Sequence, residues 1–116
     1  MKVYVSGKIG KGVPDEETLE KFKMAEDLIR SRGHEVFNPT TSGLGVVADQ
    51  KENYAHVIGK RTTWYAEILK LDLNELSFCD AICMLPDWTD SPGAMTELYF
   101  AKAIGIMIVS LSDFNQ

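Results

Sequence analysis

Two carboxylates fall where apolar side chains are expected. Downstream of Ser91, residues Ala94, Leu98, Ala101 and Gly105 recur at i, i+4, i+7 and i+11, one face of a helix, and Glu97 lies at the flank of that face. Upstream, Tyr65, Leu69, Leu73 and Leu76 form a second helical stripe, and Asp72 stands on it, three residues after Leu69 and four before Leu76. Acidic side chains are rarely buried unless they are paired or working. One such residue reads as a structural pair, with a backbone or basic partner inside the fold; two in neighbouring elements point to a shared cleft. A cleft with two acids can break a glycosidic bond, one carboxylate attacking or stabilising the anomeric carbon while the other handles the proton of the leaving group.

Two further stretches bear on what such a cleft would hold. Ser91 followed by Pro92 has the form of an N-cap and first helical position, and a helix N-terminus favours an anion. The run Gly7-Lys8-Ile9-Gly10-Lys11-Gly12 matches neither the Walker A spacing nor G-x-G-x-x-G. Its glycines and lysines allow backbone N–H and ammonium groups to approach a phosphate, and equally describe a mobile loop with solvated lysines. Trp64 and Trp88 flank the expected cleft, where an indole packs in the core or at the rim, or stacks on a ligand ring. Cys79 and Cys83, four apart along an extended segment, are too far apart to bridge and read as reduced core thiols.

The elements that must position these groups follow from pattern. Lys2 to Ser6 is a short β-type run. Asp15 caps a helix with apolar positions Leu19, Phe22, Ala25, Leu28 and Ile29, stopped by Gly33. Glu35 to Asn38 is a second strand closed by Pro39, and residues 40–59 form a long, weakly patterned connection of the kind used as a lid or left disordered. A helix follows from about Lys60 to Phe78. Ala81 to Leu85 is a strand buried on both faces, Pro86 to Asp90 a loop, and Ile106 to Ser110 the last strand before a tail, residues 112–116. The alternation predicts an α/β domain spanning 1–116, a flavodoxin- or Rossmann-like three-layer sandwich around a parallel sheet of four strands, or five, ordered 2-1-3-4. The cleft would open at the carboxyl ends of strands one and three, where the strand order reverses.

Composition bounds the partners. The 116 residues carry a formal charge of −5, with 45% apolar and 25% charged residues, as expected for one globular domain. A net acidic chain is not expected to bind a nucleic-acid backbone. The opening MKVYVSGKIG has no long apolar core and no run approaches ~20 apolar residues, so the expectation is a cytoplasmic protein with no membrane partner.

The run Tyr4-Val5-Ser6-Gly7-Lys8-Ile9, then Asn38-Pro39, then Asp72 eight residues before Asp80, then Ser91-x-Gly93-x-x-x-Glu97 resembles the nucleoside 2-deoxyribosyltransferase superfamily, and within it the small DUF4406-type bacterial and phage proteins. The resemblance covers nearly the whole chain. It implies that Glu97 is the nucleophile that takes a deoxyribosyl group and that Asp72 transfers a proton or orients the sugar. It further implies that Tyr4, Gly7, Lys8, Ile9, Ser91 and Gly93 contact the substrate, with Trp88 beside them. Transferases proper tend to carry aspartate at the position of Ser91, whereas the related 2'-deoxynucleoside 5'-monophosphate N-glycosidases carry serine there, on the 5'-phosphate. The opening loop departs from that branch in having Lys8 and Lys11 in place of arginine, and lysine offers no bidentate phosphate contact. The expectation is therefore an N-glycosidase or deoxyribosyltransferase acting on a deoxynucleotide or deoxynucleoside, without metal or other cofactor, and assembled as a homo-oligomer. The alternative is a non-catalytic nucleotide-binding or signalling module on the same fold.

Overall fold

A computed structural model of the chain describes residues 1–10 and 12–115. The expectation placed on Lys11 lies outside the described residues. Strands β1 (Lys2–Ser6), β2 (Glu35–Phe37), β3 (Ala81–Met84) and β4 (Met107–Val109) form one parallel sheet in the order β2-β1-β3-β4. Helices α1 (Glu16–Ser31), α2 (Leu44–Val57), α3 (Trp64–Leu76) and α4 (Pro92–Ile104) lie between them in sequence. The expected α/β architecture and strand order are those observed.

The pleat divides the core in two. Val3, Val5, Ala81 and Cys83 point to the face covered by Phe22, Ala25 and Ile29 of α1. Tyr4, Ile82 and Met84 point the other way, onto Leu76 of α3 and Ala94, Leu98 and Ala101 of α4. Helix α4 shows what decides such a segment. Gly93, Thr96, Tyr99 and Phe100 are weak helix formers, but residue propensities differ by at most about 1 kcal/mol while burying one Leu-sized side chain is worth about 1.5–3 kcal/mol. The periodic apolar face wins, and the ends are fixed locally: Ser91 Oγ accepts the Ala94 N–H at 3.1 Å, and Gly105 closes the helix at φ +81°.

Four expectations need correction. Residues 40–59 are mostly helix α2 rather than an unstructured connection. That helix packs chiefly against α3 and buries only Ala48, so its sequence has no need of the apolar stripe that would reveal it. The helix expected from Lys60 begins at Trp64, because the Thr63 hydroxyl accepts the Ala66 N–H and caps it there. Tyr65, placed on the inward stripe, is 48% exposed. The residues read as a tail belong in part to a 3-10 turn, Leu111–Phe114, that drops the Phe114 ring into the α1-side core, its carbonyl accepting from Arg32 Nε at 2.6 Å.

Candidate active site

At the carboxyl ends of β1 and β3 a cavity of about 530 Å³ opens between the Gly7–Gly10 loop, the first turns of α4 and one side of α3. Glu97 reaches it from the second turn of α4. Tyr4 and Ser6, two residues apart on β1, share a sheet face and both point at this carboxylate. Tyr4 Oη donates to Glu97 Oε2 at 2.5 Å, and Ser6 Oγ donates to Oε1 at 2.6 Å. Tyr4 and Ser6 are fully buried. Burial raises the Glu97 carboxyl above its ordinary range, and the Ser6 and Tyr4 hydroxyls pull against that rise. Burial, and then the charges of Glu97 and Asp72, push the Tyr4 phenol well above its ordinary value, so it remains a donor.

Asp72 lines the same cavity from α3, and only 7% of it is exposed. Among the described residues its Oδ1 is the one buried side-chain oxygen or nitrogen with no hydrogen-bond partner. Burial first, then the charges of Glu97 and Glu75, push its carboxyl up to about 8. The two acids thus differ in kind. Glu97 has hydroxyl donors on both oxygens, which oppose the upward push of burial; Asp72 has no such donor on Oδ1, and burial and the neighbouring acids push it toward its protonated form.

Of the residues expected at the site, Asp72, Glu97, Gly7, Lys8, Ile9, Ser91 and Gly93 line the cavity. Tyr4 lies beneath it and touches Glu97 instead of open space. Trp88 is not brought to the cavity; it packs half-buried against the α3/α4 side of the core. Trp64 does line it, edge-on to Tyr65 with ring centroids 5.4 Å apart, its Nε1 donating to the Gly45 carbonyl at 3.3 Å. The anion-binding means are limited. Pro92 supplies no N–H, Ser91 Oγ already accepts from Ala94, and the Lys8 N–H donates to Asp87 Oδ1 at 3.0 Å. Lys8 is the one cation among the described lining residues, against Asp72, Asp90 and Glu97.

Sequence reasoning missed Ser6, Tyr65 and Asp90. Ser6 had a usable signal, its two-residue spacing from Tyr4 on one strand. The cysteines are free and buried, their thiols pushed up to about 11 by burial, which makes them core groups and poor nucleophiles. Among the described residues no three His, Cys, Asp or Glu side chains converge as a metal site would require, and no helix is long and apolar enough to cross a membrane.

A parallel α/β sheet with a two-acid cavity at its topological switch point defines the class of this protein. The family model described as Domain of unknown function (DUF4406) matches residues 1–110, and the chain belongs to that family. No curated protein matches it.

Proposed function

We propose that the chain cleaves or transfers at the N-glycosidic bond of 2'-deoxynucleosides or their 5'-monophosphates. The observation that carries this reading is the pair of buried carboxylates in one cavity, Glu97 held on both oxygens by hydroxyls and Asp72 with its Oδ1 unpartnered and its carboxyl pushed upward by burial. The resemblance to the nucleoside 2-deoxyribosyltransferase superfamily gives the pair its bond.

In this reading a Glu97 oxygen attacks C1' as the bond to the base nitrogen breaks. The bonding electrons leave with the base, and Asp72 gives that nitrogen its proton. Water, or the N–H of an acceptor base, then attacks C1', frees the Glu97 carboxylate and returns a proton to Asp72. Tyr4 and Ser6 fix the nucleophile, Trp64 and Tyr65 offer aromatic surface for the base, and Lys8, Ser91 and Gly93 face the sugar end. The excess of carboxylates favours a substrate uncharged at its 5' end, while the Ser91 hydroxyl and the start of α4 favour a phosphate there. The reading includes a homo-oligomer. Exposed apolar side chains support it: Met107 and Ile108 on edge strand β4, and Val46, Tyr54 and Val57 on α2.

The test is incubation of the purified protein with each deoxynucleoside and each 5'-monophosphate, with and without a free acceptor base, followed by chromatography for released or exchanged base. Wild type releases or exchanges base and Glu97→Ala does not. Silence on every substrate refutes the reading.

A further inference from the structure

The Gly7–Gly10 loop forms one wall of the cavity, and a group outside the cavity holds it there. Asp87, in the 3-10 turn Pro86–Asp90 after β3, accepts the Lys8 N–H on Oδ1 at 3.0 Å. Its Oδ2 accepts from Lys21 Nζ at 2.5 Å, and the same ammonium donates to the Lys8 carbonyl at 2.7 Å. Both backbone groups of Lys8 are therefore fixed by one ion pair whose members come from α1 and from the turn after β3. Gly7 fits the arrangement: a Cβ there would meet Leu85 Cβ at 2.9 Å and Asp87 Oδ1 at 3.1 Å, so turn and loop lie in direct contact. Each side chain of the pair is about one-third exposed, 31% for Lys21 and 32% for Asp87. Burial works against the Asp87 carboxylate, but the Lys21 ammonium and the Lys8 N–H hold it below the usual carboxylate range.

We infer that Lys21 and Asp87 are the positioning pair for the ligand-binding wall of the cavity, setting ligand affinity through the backbone of Lys8 without touching the ligand. This rests on the cavity being the ligand site proposed above. Three features support the assignment over a general surface ion pair. The ammonium bridges two acceptors, both carboxylate oxygens are used, and the held peptide lies between two residues, Gly7 and Ile9, that line the cavity. A loop that binds ground state and transition state alike changes KM and leaves kcat in place.

The test uses the full chain on whichever deoxynucleoside or monophosphate it cleaves. Lys21→Met, which breaks both bridging bonds, raises KM about tenfold, the size of one lost charge-assisted hydrogen bond, with kcat within about twofold. Lys21→Arg, which can still span both acceptors, restores most of the affinity. A Lys21→Met protein with unchanged KM overturns the inference, as does one in which kcat falls instead while Lys21→Arg is equally impaired. Amide hydrogen exchange gives a readout that needs no activity. In wild type the Lys8 N–H is protected, and in Asp87→Ala its exchange speeds at least about tenfold while α1 amides keep their protection. An unprotected Lys8 amide in wild type also overturns the inference. Absence of base release with a protected Lys8 amide sinks the proposed reaction and leaves the loop clasp standing.

Discussion

Tyr4 and Ser6 hold Glu97 as solvent would, but in a fixed direction. Burial favours the protonated, less nucleophilic form of this carboxyl; two hydroxyls on opposite oxygens work against that rise and set its angle to the cavity. Tyr4→Phe removes one donor while keeping the ring and its stacking on Phe37, whose centroid is 5.2 Å away. Steady-state kinetics on a cleaved nucleoside should show kcat lowered about tenfold to a hundredfold, the worth of a hydrogen bond to a charged group, with the protein still folded. Asp72 gives a second prediction with a definite sign. Its folded pKa of about 8 lies above the ordinary aspartate value of about 3.9, so between these pH values the folded state holds a proton that the unfolded state has released. Its contribution is complete below about pH 4 and is lost as pH rises through about 8. Denaturant midpoints of wild type should fall over that window, and Asp72→Asn should flatten the slope. A slope unchanged in the variant would remove Asp72 as its source. In the same reading kcat/KM declines above about pH 8, when the acid loses its proton.

At the scale of elements, the site depends on three chain segments meeting at the ends of β1 and β3. The closest approach is at Gly7, where the loop passes against Leu85 and Asp87 with no room for a methyl group. Gly7→Ala should destabilise the protein by about 1–3 kcal/mol, measured by denaturant unfolding, because Leu85 is fully buried and has little freedom to move aside. A cost below about 0.5 kcal/mol, the size of an ordinary surface substitution, would mean the loop can shift away from the turn. The same scale shows what the sequence could reveal. Glu97 and Asp72 were legible because α3 and α4 carry a periodic apolar face, against which a misplaced acid stands out. Helix α2 was not, since a helix packed mostly on one neighbour needs no such face. Trp88 lies off the cavity for a related reason: position in sequence put it beside the cleft, but the 3-10 turn leaves its ring half-buried against the α3/α4 side of the core. The bond from Asp87 to Lys8 spans 79 positions and leaves no local pattern to read.

On the scale of the whole molecule, the parallel sheet places the cavity at the ends of β1 and β3, while part of the apolar surface stays uncovered. Met107 and Ile108 on β4 and Val57 on α2 are between 42% and 82% exposed. Light scattering should therefore give a mass that is a multiple of the 13.0 kDa chain. A monomer at all concentrations would leave that surface unexplained and contradict the proposed assembly. In the proposed reaction Glu97 becomes covalently attached to the sugar. The most direct measurement is mass spectrometry of the protein after incubation with a cleaved deoxynucleoside whose sugar carries a 2'-fluorine, which slows the second displacement. The expected result is a fluorodeoxyribosyl group on the peptide that contains Glu97, with free base released in equal amount. Base release without that adduct, or an adduct on a different residue, would contradict it.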